Sequence, residues 1–350
     1  MSSKKIFIIG ASGYVGGTVL VDLLEQHPNL DITALVRSPS SAAKIQSAHP
    51  TVKTVIGDLD SSDILTSISA ESDIILTAAD ADHPAHIKSI YAGMAQNKSG
   101  KKTYLIHTSG TGIFLDLSLK NAGEKSQSTI SDRNWDDVAD FQELWDLPEE
   151  LLHRNVDVLV QSPPTDANPN INFALVIPPL IYGEGSGAVN RRSIQVPHLI
   201  KTIIKRGKGL RVGKGENLWS NVHVQDLSRL YISLLNDAIT DGGKADWNKN
   251  GGIYFAENGI HVHHDIAERI TKIAFEKGYI KNEGVDGLSV EEVKSFNPFG
   301  PLLWGTNSLS TATRARKVLG WKPREVSLEE TLEDEVEVAF KSGEVIVPKA

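Results

Sequence analysis

The first third of the chain alternates short apolar runs with longer amphipathic stretches. The apolar runs are rich in Ile, Val and Leu, as expected for strands that are covered by helices on both faces. The candidate strands are residues 6–9, 32–36, 52–56, 73–78 and 103–107. The candidate helices between them are residues 14–26, 61–70 and 84–96. Strands that alternate with helices predict an α/β fold with a doubly wound parallel sheet.

Downstream of residue 110 the alternation is less regular. A polar stretch over residues 111–146 predicts a long functional or mobile loop. Gly-Lys-Gly at 207–209 and again at 213–215 predicts hairpin turns. The other predicted elements are a strand over 172–177 and helices over 148–161, 197–206, 264–277, 309–319 and 328–341, with a further helix that ends near residue 236.

A glycine-rich loop joins the first predicted strand to the first predicted helix, with the sequence Gly10-Ala11-Ser12-Gly13-Tyr14-Val15-Gly16. Glycine accepts the positive φ of a sharp turn, and its missing side chain lets a pyrophosphate approach the backbone. The helix N-terminus adds free N–H groups and the positive end of the helix dipole. Ser12 can donate its hydroxyl to a phosphate, and Gly16 allows the helix to pack closely on the sheet. This loop, in a βαβ unit, predicts a dinucleotide site; the alternative is a turn without a ligand.

The end of the second predicted strand indicates which dinucleotide binds. An acidic residue there would hold the ribose 2′-hydroxyl of NAD. The strand instead ends at Arg37, which can pair with the 2′-phosphate of NADP. We therefore expect NADP(H) rather than NAD(H), the alternative being that Arg37 is a solvated surface residue. Asp58, after the third predicted strand, is placed either to accept from the adenine amino group or to cap the next helix.

Composition narrows the class of protein further. The chain has 350 residues, a formal net charge of −8 and no cysteine. The acidic balance argues against a nucleic-acid partner, because no basic surplus is available to neutralise phosphates. Without cysteine there are no disulfides, thiolate metal sites or Cys nucleophile, and the composition fits a cytoplasmic protein. No apolar run approaches the ~18 residues of a membrane span, so no membrane segment is expected.

These features together resemble the extended, epimerase/dehydratase-like branch of the short-chain dehydrogenase/reductase superfamily. Gly10, Gly13 and Gly16 match its G-x-x-G-x-x-G spacing. The segment 222–227, Val-His-Val-Gln-Asp-Leu, resembles its VHVDDL element, and Ala-Arg-Lys-Val-Leu-Gly-Trp-Lys-Pro at 315–323 resembles its C-terminal signature. The segment Ala-Leu-Val-Arg at 34–37 is also similar to NmrA-type regulators.

The resemblance carries expectations about organisation and about the cofactor site. It implies a Rossmann domain over residues 1–183 plus about 222–256, and a smaller mixed α/β substrate-binding part over about 184–221 and 257–350. It also implies a homodimer that forms through helices of the Rossmann domain. By position in the matching segments, the further cofactor-binding residues would be Tyr14, Val15, Leu59, Ala78, Ala79, Pro178 and Ile181.

The chain departs from the family in its catalytic residues. Active members use Tyr-x-x-x-Lys for proton transfer, but none of the seven tyrosines here has a lysine four residues later. His153 and Asp157 fall where this pair is expected. On one helix face Asp157 can orient His153 as a general acid or base; the alternative is a half-exposed histidine beside a solvated carboxylate. Ser109 matches the family's substrate-side hydroxyl or is a turn residue, and Tyr182 either points into the substrate cleft or packs.

Three functions remain open at this stage. The first is an atypical NADP(H)-dependent oxidoreductase that acts on a small-molecule carbonyl or alcohol, with an unusual acid in place of the tyrosine. The second is a non-catalytic NADP(H)-binding redox sensor or regulator, and the third is an epimerase, dehydratase or isomerase. The histidine-containing segments 82–86 and 261–264 lack convincing metal-ligand spacing, so no metal is expected.

Overall fold

The computed structural model of the protein describes residues 4–125 and 130–341. The strands are β1 (Lys5–Ile9), β2 (Asp31–Val36), β3 (Lys53–Ile56), β4 (Ile74–Thr77), β5 (Thr103–Thr108), β6 (Asn134–Asp136), β7 (Ile171–Ile177), β8 (Leu180–Tyr182), β9 (Gly209–Val212), β10 (Leu218–His223), β11 (Ile253–Phe255), β12 (Gly259–Val262), β13 (Val285–Leu288) and β14 (Leu309–Thr311). The helices are α1 (Tyr14–Gln26), α2 (Pro39–Ala48), α3 (Ser62–Glu71), α4 (Pro84–Gln96), α5 (Phe141–Trp145), α6 (Arg154–Val160), α7 (Gln195–Arg206), α8 (Val224–Ile239), α9 (His263–Glu276), α10 (Val290–Phe296), α11 (Gly300–Gly305), α12 (Thr313–Leu319) and α13 (Leu328–Lys341).

The main sheet has seven parallel strands in the order β11-β7-β5-β4-β1-β2-β3. The predicted α/β fold with a doubly wound parallel sheet is therefore confirmed. From β1 the chain proceeds to β2 and β3 on one side, and it then returns to place β4 and β5 on the other. The order thus reverses between β1 and β4, and in such sheets ligands bind in the crevice at the carboxyl ends of the strands beside this point.

Strand register brings the loops that follow β1, β2 and β4 to one edge of the sheet. Ile9, the last residue of β1, lies opposite Leu35 on one side and Thr77 on the other. Thr77 in turn lies opposite His107 of β5. Because all these strands run the same way, the glycine loop, Arg37 and the loops after β4 and β5 leave the sheet close together.

Two apolar clusters hold the described residues together. The larger one contains the strands of the main sheet with the buried faces of the helices on them, including α1 packed against α8 and α3 packed against α4. The smaller one is formed mainly by α7, α9, α11 and α13 around β9 and the three-stranded sheet β12-β10-β8. The division of the chain into a Rossmann domain and a substrate-binding part at residues 183, 222 and 256 stays a prediction.

Several local predictions were wrong. The polar stretch 111–146 is not one long loop, since it contains β6, α5 and a 3-10 helix at Thr111–Phe114. The first residues of the predicted helix 309–319 form β14, which pairs with β6. No hairpin forms at the Gly-Lys-Gly turns, because β9 between them pairs in parallel with the distant β13. In each case a long-range contact outweighs the local pattern.

The predicted helix over 148–161 is also wrong in its first part, since α6 begins only at Arg154. The reason is the backbone of His153, which has φ +67° and therefore cannot continue a right-handed helix. No helix of residues 4–125 and 130–341 is long and apolar enough to cross a membrane.

Candidate cofactor site and neighbouring acid–base groups

A pocket of about 540 Å³ opens at the carboxyl ends of β1 to β4. Gly10, Ser12 and Gly13 line it from the glycine loop. Gly13 is the N-cap of α1, and no side chain of the described residues accepts a hydrogen bond from the first turn of this helix. The N-terminus of α1 therefore offers backbone N–H groups and a positive dipole end to an anion in the pocket.

The glycines are required by close packing of β1, β4 and α1. Gly10 has φ +98°, and a Cβ atom there would lie 2.3 Å from the carbonyl oxygen of Ala78. At Gly16 a Cβ atom would lie 2.4 Å from the carbonyl oxygen of Gly10. Any side chain at either position would separate the strands or lift the helix from the sheet. The third glycine thus has the packing role that the sequence predicts.

Tyr14 and Val15 do not contribute side chains to this pocket. The Tyr14 hydroxyl donates to the carbonyl oxygen of Gly183 at 2.6 Å, and burial raises the pKa of this phenol well above its usual value. Val15 packs against the larger apolar cluster. A cofactor contact of these two residues stays a prediction.

Arg37 and Asp58 stand on the pocket wall beyond β2 and β3. The Arg37 side chain is exposed and makes no hydrogen bond or ion pair to any described residue. Asp58 accepts hydrogen bonds from the Ser61 hydroxyl at 2.8 Å and from the backbone N–H of Asp60 at 3.1 Å. The serine contact is the main cause that lowers the pKa of Asp58. Ser61, not Asp58, is the N-cap of α3.

The remaining predicted cofactor residues divide into two groups. Leu59, Ala78 and Ala79 line the same pocket. Pro178 and Ile181 lie beyond β7, outside its lining. The carbonyl oxygen of Pro178 accepts from the backbone of Thr111, and that of Ile181 accepts from the Ser193 hydroxyl. These two hydrogen bonds connect the chain after β7 to neighbouring loops.

The prediction that Tyr182 points into a substrate cleft is wrong. This side chain is 2% exposed and belongs to the smaller apolar cluster. Its hydroxyl donates to the carbonyl oxygen of Val326 at 2.8 Å, and its ring meets His223 edge to face. Strand β8 pairs with β10, which places Tyr182 in the smaller apolar cluster. Tyr182 is therefore a packing residue, the alternative given above.

Ser109 and Asp157 are brought together by the structure. Both side chains are buried, and the Ser109 hydroxyl donates to Oδ2 of Asp157 at 3.0 Å. Burial raises the pKa of Asp157 to about 6, against the opposing effect of the Arg154 guanidinium. The other carboxylate oxygen, Oδ1, has no hydrogen-bond partner among the described residues. Asp157 thus supports Ser109 rather than a histidine.

His153 pairs with a residue that the sequence reasoning did not select. Its Nδ1 atom lies 2.8 Å from Oδ1 of Asp82, and its backbone N–H donates to the same oxygen at 3.1 Å. The prediction that Asp157 orients His153 is therefore wrong. Because His153 precedes α6 in a left-handed conformation, the two side chains do not share a helix face. The discounted segment 82–86 was the available signal for Asp82; His83, not Asp82, is the N-cap of α4.

Histidines also lie buried elsewhere, at 86, 107, 261 and 263. Burial lowers the pKa of each of them, which favours the neutral ring. Within residues 4–125 and 130–341, no group of three or more His, Cys, Asp or Glu side chains is arranged to hold a metal ion.

Comparisons with known proteins agree with this architecture. Residues 5–98 match the family described as semialdehyde dehydrogenase, NAD-binding domain. Oxidase ucsJ of Acremonium sp. is 32% identical over 329 residues, covering 92% of this chain and 93% of the oxidase. The chain belongs to the family of this oxidase. Another relative, the uncharacterized protein YLL056C of Saccharomyces cerevisiae, is 28% identical and covers 94% of this chain and 97% of its own length.

Solved structures with a similar fold include two nucleotide-sugar enzymes. The dTDP-glucose 4,6-dehydratase DesIV of Streptomyces venezuelae, with NAD and TYD bound, has a TM-score of 0.67 at 13% identity and covers 97% of this chain and 98% of its own. UDP-glucose 4-epimerase of Thermotoga maritima, with UDP-glucose, has a TM-score of 0.62 at 14% identity and covers 97% of this chain and 100% of its own. The resemblance to epimerase/dehydratase-type Rossmann proteins is thereby confirmed at the level of the fold; the NmrA-like character stays a prediction.

Proposed function

We propose that the protein is an NADP(H)-dependent oxidoreductase that converts a small carbonyl compound and the corresponding alcohol into each other. The observation that carries this proposal is the pocket at the ends of β1 to β4, which is lined by the glycine loop and by Arg37. The Arg37 guanidinium has no partner among the described residues. The oxidase relative and the match to an NAD-binding dehydrogenase domain support the same reaction class.

Each part of the pocket suits one part of the cofactor. The free N–H groups in the first turn of α1, which follows Gly13, would hold the pyrophosphate. Asp58 retains a carboxylate oxygen for the adenine amino group, since Ser61 and Asp60 both donate to its Oδ1 atom. Arg37 binds the 2′-phosphate, because β2 ends without an acidic residue that would prefer the 2′-hydroxyl.

The chemistry requires a hydride and a proton. When bound, the nicotinamide supplies or accepts the hydride at the substrate carbon. The protein must give a proton to the carbonyl oxygen during reduction and take it back during oxidation. His153 has this role in our proposal, in place of the missing tyrosine. The Ser109 hydroxyl donates its proton to Asp157, which leaves the Ser109 oxygen able to accept a hydrogen bond.

Coenzyme binding tests the proposed 2′-phosphate contact. A charge-assisted hydrogen bond contributes roughly 1.5–3 kcal/mol, so Arg37→Ala should weaken NADPH binding by about 10- to 150-fold and change NADH binding little. Titration by nicotinamide fluorescence gives both dissociation constants. Arg269→Ala, an exposed arginine on α9 outside the pocket lining, is the matched control and should change neither. An equal loss for NADPH and NADH in Arg37→Ala would refute the contact.

Turnover tests the reaction class. The protein is mixed with NADPH and a panel of small aldehydes and ketones, and oxidation of the coenzyme is followed by absorbance. Consumption of NADPH with formation of the alcohol is the expected result. Tight NADPH binding without turnover of any substrate would contradict the oxidoreductase and favour the redox sensor, a function that the missing Tyr-x-x-x-Lys also permits.

A further inference from the structure

We propose that Asp82 is the positioning residue for His153, and that it fixes the ring so that Nε2 is the atom that exchanges the proton with substrate. The role in turnover rests on the proposed function. The pairing itself, and the tautomer that it selects, rest only on the geometry of the two side chains.

One carboxylate oxygen holds the histidine at two points. Oδ1 of Asp82 is 3.1 Å from the backbone nitrogen of His153 and 2.8 Å from its Nδ1. An ionised carboxylate can only accept hydrogen bonds, so Nδ1 must carry a proton. The hydrogen bond from His153 is the main cause that lowers the pKa of Asp82, which keeps the carboxylate ionised. In the neutral ring Nε2 is then the free base.

The backbone at His153 indicates that the side chain is needed there. His153 has φ +67° and ψ −19°, a left-handed conformation that is unfavourable for a residue with a Cβ atom. Glycine would adopt it without this cost. The side chain does not cap α6 either. The two hydrogen bonds to Asp82 offset the strain, and an imidazole held by strained backbone is typical of functional positions.

The pair also lies at the correct end of the crevice. Asp82 is in the loop after β4, only two residues beyond Asp80, which lines the pocket. The His153 ring lies over the loop after β5, where a Cβ atom added to Gly112 would be 2.6 Å from Nε2. Arg37 and Asp58 at β2 and β3 mark the adenosine half of the pocket. The nicotinamide half of a dinucleotide bound across the sheet must then extend over β4 and β5.

Asp157 cannot replace Asp82 in this role. Its Oδ2 is engaged by Ser109, and the carboxyl is fully buried beside Arg154, with 3.8 Å between Oδ2 and the nearest guanidinium nitrogen. Asp157 and the buried His107 also interact electrostatically with His153. Neither forms a hydrogen bond with its ring among the described contacts.

The tautomer tests the pairing without any substrate. Long-range ¹H–¹⁵N NMR of the cofactor-free protein reports which imidazole nitrogen carries the proton, and His153→Gln identifies the signal by its loss. The wild type and Asp157→Asn should show the Nδ1–H form of His153. Asp82→Asn should lose this preference and approach a mixture. An unchanged Nδ1–H signal in Asp82→Asn, or its loss in Asp157→Asn, would overturn the pairing.

Kinetics test the role in turnover. Asp82→Asn should lower kcat by about 10- to 100-fold, the loss that follows removal of the outer partner of a metal-ligating histidine. The KM for NADPH should stay within about twofold of wild type as evidence of folding. Because the two residues act as a unit, the double variant Asp82→Asn/His153→Gln should be no slower than His153→Gln. Additive losses would overturn the positioning role. A wild type without turnover would overturn the proposed function, whereas the NMR result would still decide the pairing.

Discussion

Replacement of Gly10 by alanine is the most informative single change in the glycine loop. The backbone there has φ +98°, and the new Cβ atom would lie 2.3 Å from the carbonyl oxygen of Ala78 in the loop after β4. Ordinary contact begins at 3.4 Å, so the two chains would have to separate by about 1 Å. The obstacle is main chain at the centre of the sheet, which cannot rotate away as a flexible side chain would.

Two costs contribute to the expected loss of stability. A positive φ costs alanine about 1–2 kcal/mol, and overpacking of a close-packed interior costs about 1–3 kcal/mol. Gly278→Ala separates them, because Gly278 has φ +73° and a Cβ atom there would meet nothing within 4 Å. We expect Gly278→Ala to lower the free energy of unfolding only by the cost of a positive φ. Gly10→Ala should lower it by both costs, about 2–5 kcal/mol in total.

Urea unfolding followed by circular dichroism measures both losses, and fluorescence titration measures NADPH binding. Gly10→Ala should weaken NADPH binding at least about tenfold, because separating β1 from β4 moves the N–H groups that face the pyrophosphate. Gly278→Ala should bind NADPH as the wild type does. Equal losses of stability in the two variants, or unchanged NADPH binding in Gly10→Ala, would refute the steric argument.

Three further changes test other parts of the structure. Burial raises the pKa of Asp157 from 3.8 to about 6, so the protonated carboxyl stabilises the fold below about pH 4 and this stabilisation is lost as the pH rises through 6. In urea unfolding, the wild type should lose up to about 3 kcal/mol of unfolding free energy relative to Asp157→Asn between pH 4 and 8. A constant difference between the two proteins would contradict this prediction. Asp137→Ala removes the acceptor for the backbone N–H groups of Phe255 and Arg314, each at 2.8 Å. In the same assay it should lower the free energy of unfolding by about 2–6 kcal/mol, and Asp137→Asn should lower it less. Equal losses in the two variants would contradict the role of these hydrogen bonds. Gly112→Ala should displace the imidazole that we propose as proton donor and lower kcat about tenfold without weakening NADPH binding; unchanged kcat would count against the position of this ring.

The fold and the position of the glycine loop and Arg37 on the pocket wall could be predicted because their signals are local. Apolar runs of Ile, Val and Leu alternate with amphipathic stretches, and their periods of two and 3.6 residues depend only on the backbone. Each limit of the predicted strands lies within one residue of the observed limit, as in β3 and β7. Gly10, Gly13 and Arg37 likewise follow their strands directly, so their position at the crevice needs only the order of elements.

The contacts of His153 could not be predicted in the same way. Asp82 and His153 are 71 residues apart, and nothing local relates them. Spacing alone suggested the pair of His153 and Asp157, because four residues form one turn of an uninterrupted helix. The helix instead begins after His153, at a left-handed residue that spacing does not reveal.

The sequence by itself thus determined the sheet, the dinucleotide loop and the absence of the usual tyrosine–lysine pair, since each is a property of contiguous residues. Only the tertiary structure decided which carboxylate meets His153, that Tyr182 is a core residue and that Leu309–Thr311 is a strand. The physical reason is the same in all three cases: the partners of these side chains come from strands and loops that are distant in the sequence but adjacent in space. Burial and hydrogen bonding at these long-range contacts outweigh the local sequence preference.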